Sequence, residues 1–490
     1  MTAANASIPH VAVVGGGVTG LAAAARLLAR SGPPPVRVTL VEAAARLGGK
    51  VRTTRTEGLL LEEGPDSFLA MDAKPWARDL CRELGLEREL YATPAVDRHA
   101  SIYHAGRLHP LPAGMTTGLP GRLGPFLATG LLTPGGKVRA LADLVLPRTL
   151  GATADDVSVG ALLRRRLGDE LVDRLVEPLL AGIYAGNIDA LSMDAVFPAL
   201  RRQEATRRSL ILATLAQARA ARRRPPSATP PPPPFLSLRH GLDGMVEALA
   251  GRVRSAPMGR IVTASPVRRI DRDPDGRYTL QAAGLAITVD RVVVAVPAPE
   301  AARLLTPLEP HAARALASVP YADVALVMLA YDRADVGRIP HGSGFLVPRG
   351  EDVEASACTV LSAKWPASAP PETVLLRVYL GRAGDGVLNL DDAALLGRAT
   401  ATVSRTMGIV APARLARVVR LPAALPQYTV GHLDRIARIE AAVHAALPGV
   451  VVTGSAFRGV GLPDCVHQGQ AAAETVLASL RLAVGTAGAS

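Results

Sequence analysis

Gly15, Gly17 and Gly20 stand at G-x-G-x-x-G spacing, and an acidic residue, Glu42, follows them. Such a set binds the pyrophosphate of a dinucleotide. Gly15 permits a tight turn, Gly17 lets the backbone approach a phosphate, and Gly20 lets a helix lie close to a strand. Glu42 can accept from a ribose hydroxyl, and the free N–H groups of a helix N-terminus face the phosphates. Arg46, Gly48, Gly49 and Lys50 extend the set to E-x-x-x-R-x-G-G. No Ser-His-Asp or Cys-His pattern accompanies it. The three cysteines, Cys81, Cys358 and Cys465, are far apart and offer no C-x-x-C metal site. The dinucleotide set is thus the clearest chemical signal in this stretch.

The elements that must position these residues can be read around them. An apolar run at 11–14, a helix at 18–29 and a β-rich run at 36–41 make strand, glycine turn, helix, strand. A second strand–turn–helix lies at the far end: a strand at 450–454, a glycine-rich turn at 457–465 and a helix at 468–480. Between them, strands at 261–262, 267–270, 278–282 and 290–297 return to the same domain, the last as a buried strand. The expected fold class is α/β, with a Rossmann-like dinucleotide domain built from residues 8–92, 236–300 and 445–483. Helical periods over 112–224 (137–145, 159–167 and 170–180) predict a helical insertion domain. The Pro-rich tract at 225–235 predicts an exposed loop. Residues 93–111 and 301–444 predict a β-sheet substrate domain, with a hairpin turning at Ala105-Gly106. Its other strands are expected at 324–331, 345–348, 356–364 and 374–380, and its helix at 391–407.

At 490 residues the chain implies two or three domains, and its 49% hydrophobic content can fill their cores. The net charge of +12 comes from arginine, since only Lys50, Lys74, Lys137 and Lys364 are lysines. Aromatic residues make up 3%, too few for a base-stacking surface, so nucleic acid is set aside in favour of an anionic small molecule or lipid surface. There is no apolar run of about 18 residues and no secretory leader pattern, which points to the cytoplasm with at most peripheral membrane contact.

Longer motifs sharpen the reading. GGGVTGL at 15–21, EAAARLGGK at 42–50, EEGPDSFL at 62–69, AGIYAGNIDALSM at 181–193, PQYTVGH at 426–432 and GVGLPDCVHQG at 459–469 span nearly the whole chain. The first and last resemble FAD enzymes of the amine oxidase superfamily. The middle ones resemble the oxygen-dependent protoporphyrinogen/coproporphyrinogen oxidases, nearest to the Gram-positive-type members. The resemblance implies FAD as cofactor, held by Gly15, Gly17, Gly20, Glu42, Arg46, Gly49, Lys50, Gly64, Pro65, Val267, Val460 and Leu462. Val267 would touch adenine through its backbone.

For the substrate, an anionic tetrapyrrole, the resemblance implies Arg98 as a propionate partner. It also implies a cavity lined by Leu179, Gly182, Ile183 and Tyr184 on one side and by Phe345 and Leu346 on the other. Asp66 stands where other members carry asparagine, and an anion there repels propionates unless it is paired. His432 reads as a general base or as a structural histidine.

The implied reaction is oxidation of coproporphyrinogen III by O₂ in two-electron rounds, releasing peroxide. Protoporphyrinogen IX is the alternative substrate, and hand-over to a ferrochelatase by a monomer or homodimer belongs to the same picture. Rival readings are an amine oxidase or carotenoid desaturase, and a flavin/tetrapyrrole carrier or sensor without turnover.

Overall fold

The computed structural model describes residues 8–29, 35–116, 118–148, 155–223, 233–337, 339 and 342–487. Most of the expected Pro-rich loop, at 224–232, lies outside them. Five parallel strands form the platform, in the order Gly259–Val262, Arg37–Val41, His10–Val14, Arg291–Val294, Val450–Val452. Their side chains are apolar on both faces because helices cover one face and an antiparallel meander with further helices covers the other. Val11, Val13, Val38 and Leu40 join one core, and Ala12, Val14, Val292 and Val294 join another. The first helix, Val18–Leu28, carries alanines at 22–25 that let the last helix, Leu462–Ala487, approach closely. A Cβ on Gly469 would sit 2.2 Å from the Thr19 carbonyl oxygen. An antiparallel meander of Val267–Arg272, Tyr278–Ala282 and Leu285–Val289 packs beside this platform.

A seven-stranded sheet stands beyond it, in the order Leu415–Pro426, Tyr321–Asp332, Thr373–Leu380, Ala355–Val360, Gly344–Leu346, Ser101–His104, Arg107–Pro110. One face packs on the helix Asp392–Met407, and the other looks toward the platform and the helical part. The expected hairpin turns at Ala105-Gly106, both with positive φ.

Four local differences from the sequence reading have physical causes. The last helix begins at Leu462 rather than near 468, because Pro463 fits a first helical turn, where its missing N–H costs nothing. The expected strand at 356–364 stops at Val360, and Leu361–Lys364 forms a helical turn that redirects Lys364. Leu415–Pro426 is a twelve-residue strand with Pro422 inside it, tolerated because the strand is at a sheet edge. The helix expected over 170–180 breaks into Asp169–Leu171, a π-helical turn at Val172–Val176, and Glu177–Tyr184. Its last part continues the helical core of Leu162, Leu163, Leu171 and Leu175. No helix of the described residues is long and apolar enough to cross a membrane.

Candidate functional site

The glycine turn after the first strand separates three roles. Gly15 has φ +106°, and a Cβ there would lie 2.5 Å from the Ala295 carbonyl oxygen. A Cβ on Gly20 would lie 1.9 Å from the Gly15 oxygen, so helix and turn touch backbone to backbone. Gly17 differs: a Cβ there meets nothing within 4 Å, and the residue caps the first helix without a side-chain bond. Its N-terminus therefore opens onto free space, where phosphate oxygens are favoured.

Glu42 is clamped to this turn, accepting from Gly16 N at 2.6 Å and Ala44 N at 2.8 Å. One lone pair on each oxygen remains for a ribose. Arg46 does not reach outward. Its guanidinium donates to Gly49 O at 2.6 Å and Leu47 O at 3.2 Å, bracing its own loop. That loop is tied to the turn by Gly48 N donating to Gly16 O at 2.8 Å.

Lys50, at the loop's end, makes no hydrogen bond or ion pair with any described residue, and its ammonium lies 5.6 Å from the Tyr321 ring centroid. Burial pushes its pKa down to about 8. A half-buried cation with no counter-ion among the described residues, beside an open helix N-terminus, fits an anionic cofactor. Gly64 must be glycine, since its Cβ would lie 1.9 Å from Lys50 O, and Pro65 carries the chain out of that contact. Val460 and Leu462 lie in the turn and first residue of the last helix, a second N-terminus. Val267 is buried and its carbonyl accepts from Arg303 Nη2 at 2.7 Å. The residues present thus suit FAD: Gly17, Glu42, Gly49 and Lys50 at one helix end, Val460 and Leu462 at the other.

On the substrate side, Asp66 is buried and paired. Lys364 Nζ lies 3.0 Å and Arg377 Nη2 2.9 Å from its Oδ2. Burial alone would raise its pKa, but Lys364, Arg377 and the Ser67 hydroxyl hold it well below the usual carboxylate range. Two cations on one anion leave this cluster net positive, so the repulsion anticipated from Asp66 does not arise.

Neither Lys364 nor Arg377 is expected at the site from sequence. Every nitrogen of Arg377 is engaged, with Glu62 O and Gly64 O at 3.0 and 2.9 Å, Asp66, and the Tyr379 hydroxyl. Tyr379 accepts from Arg377 Nε at 2.9 Å and again from its Nη2, and is half-buried. The Thr359 hydroxyl lies 3.3 Å from the same oxygen. The signal was present: Arg377 and Tyr379 lie two apart in an otherwise apolar strand, hence on one face.

The helix Glu177–Tyr184 turns Leu179, Gly182 and Ile183 to one side, with Ile183 53% exposed. A Cβ on Gly182 would lie 3.5 Å from Leu346 Cδ2, so that side and Leu346 do face each other.

Two expected wall residues point elsewhere. Phe345, 2% exposed, lies on the opposite face of its strand, in the core with Val378, Leu395 and Ala399. Neighbours in a strand cannot line the same cavity. Tyr184 turns into the helical core, its ring 5.9 Å from that of Tyr428. Arg98 is exposed and donates through Nε to Thr93 O at 2.8 Å, within its own loop. His432 is fully buried with Nε2 2.9 Å from Phe457 O, so it has no access to a substrate proton.

Comparison with known proteins places the chain in a family. The model of the flavin containing amine oxidoreductase family matches residues 18–477. The chain is 36% identical to the coproporphyrinogen III oxidase of Bacillus subtilis, over 96% of this chain and 98% of that protein. It is 38% identical to the coproporphyrinogen III oxidase of Propionibacterium freudenreichii, over 96% and 92%, and 30% identical to the protoporphyrinogen oxidase of Bos taurus, over 95% and 98%. Among solved structures it resembles a proposed protoporphyrinogen oxidase from Exiguobacterium, with TM-score 0.84 and 35% identity over 97% of this chain and 99% of that one. Reduced UDP-galactopyranose mutase, at TM-score 0.69 and 15% identity over 96% and 94%, shares the fold.

Proposed function

The chain belongs to the flavin containing amine oxidoreductase family, and on that premise we propose that it oxidises coproporphyrinogen III to coproporphyrin III with O₂. The observation that carries this is near-full-length likeness to coproporphyrinogen III oxidases at 36% and 38% identity. When bound, FAD supplies the two-electron oxidation and passes the electrons to O₂ as peroxide. The chain's own residues bind and orient. Leu179, Gly182, Ile183 and Leu346 offer an apolar wall to the macrocycle and keep water from it. The Asp66–Lys364–Arg377 cluster, net positive, favours the propionates. Arg377 and Thr359 hold the Tyr379 hydroxyl beside this cluster. Holding the macrocycle in one orientation is the main protein contribution.

Transfer of the porphyrin to a ferrochelatase, and work in the cytoplasm as a monomer or homodimer, belong to the same reading and rest on the family resemblance. Mixing the yellow protein anaerobically with coproporphyrinogen III tests it: the flavin absorbance should bleach and recover on admitting O₂. A flavin that stays oxidised would leave only a binding role. Steady-state porphyrin fluorescence with coproporphyrinogen III against protoporphyrinogen IX decides the substrate, and the higher kcat/KM is expected for the former.

A further inference from the structure

The turn that leads into the last helix, residues 455–461, contributes to the cofactor cradle, yet it lacks regular structure of its own. What holds it is a buried pair from a distant segment. Tyr428 is 1% exposed, and its hydroxyl donates to Ser455 O at 2.5 Å while accepting from Gly459 N at 2.8 Å. One phenol thus bridges both ends of the turn. The His432 ring stacks on Tyr428, with centroids 4.0 Å apart and planes 15° apart, and its Nε2 reaches Phe457 O at 2.9 Å between those ends. A carbonyl only accepts, so Nε2 carries the hydrogen. Nδ1 is buried without a partner, and burial pushes the pKa down to about 4, so the ring stays neutral.

The same segment also grips the substrate side. Gln427 Nε2 donates to Tyr184 O at 2.7 Å, at the last residue of the helix bearing Leu179 and Ile183. Ser192 N donates to Tyr428 O at 2.7 Å, and Val430 N to Ala190 O at 3.1 Å. Nothing else in the described chain bonds at once to the cofactor turn and to the end of that helix through one short segment.

We propose that Gln427, Tyr428 and His432 form a positioning unit that sets the flavin-facing turn against the substrate-wall helix. Tyr428 and His432 fix the turn, and Gln427 fixes the wall. None of them is a catalytic residue. The inference rests on flavin binding in this cradle.

The test uses holoenzyme and reads flavin release by recovery of flavin fluorescence, the flavin reduction potential, and kcat against KM. Tyr428→Phe removes one donor and leaves Gly459 N unpartnered, so flavin release should quicken about tenfold and the potential should shift. His432→Leu should do the same. His432→Gln keeps an amide N–H for Phe457 O and should restore slow release, which loss of packing alone would not allow. Gln427→Leu should raise KM or lower kcat while flavin release stays that of the parent. If Tyr428→Phe and His432→Leu hold flavin as long, and at the same potential, as the parent, the proposal is overturned. Should both fail to fold, His432→Gln decides alone: flavin release about tenfold faster than the parent's counts against it. A parent protein that is colourless would instead sink the flavin reading itself.

Discussion

Lys50 is a half-buried cation and Asp66 a buried anion, and their opposite circumstances make opposite predictions. Lys50 has no counter-ion, and its pKa is pushed down to about 8 by desolvation. Below that pH it is charged and attracts an anionic cofactor; above it the charge is lost. Flavin affinity of the apoprotein should therefore fall as pH rises through about 8, and Lys50→Met should flatten that dependence. Fluorescence titration from pH 6.5 to about 10 reads it, and unchanged affinity across the range would exclude the role.

Asp66 is matched by Lys364 and Arg377. Asp66→Asn leaves the Arg377 charge buried without its partner, which should cost about 3 kcal/mol in urea unfolding. Because the folded-state pKa of Asp66 lies below its ordinary value, its contribution is present above pH 3.8 and lost only as pH falls further. The asparagine variant should accordingly close its gap to the parent in strong acid.

At the scale of elements, the glycine turn and the Phe345–Leu346 strand show how periodicity assigns roles. Gly17→Ala places its methyl in free space, so the apoprotein should melt at the parental temperature while flavin affinity drops at least about tenfold by titration. Gly20→Ala drives a methyl into the Gly15 carbonyl, and soluble yield should collapse. Equal behaviour of the two would refute the division of labour. For the strand, Phe345→Ala should cost about 3–5 kcal/mol of stability with KM for porphyrinogen unchanged, since Phe345 fills the core behind the sheet. Leu346→Trp, on the cavity side, should change kcat/KM instead. Reading both as wall residues from sequence overlooked that a strand alternates its faces.

Taken whole, the molecule closes a parallel sheet from strands near residues 10–41, 259–294 and 450–452, so its two ends are neighbours. The last helix covers the alanines of the first and carries the second cradle turn. Truncation before Leu462 should then yield insoluble, colourless protein rather than a shortened enzyme. A soluble yellow product in gel filtration would show that the ends are independent.

The glycine cradle was legible in the residues alone because turns, helix starts and close approaches depend on neighbours a few positions apart. Gly15 and Gly20 each impose a local geometry that no side chain permits, and Gly17 leaves the helix start open. The apolar runs likewise announced the buried parallel strands. What tertiary structure decided was which distant groups meet. Asp66 finds Lys364 and Arg377, Glu62 lends its carbonyl to Arg377, and Tyr428 reaches across to the last turn. The directions of Phe345 and Tyr184 were settled the same way, by the cores on either side. Charge pairing and side-chain direction follow from packing between elements, and local propensity holds no record of it.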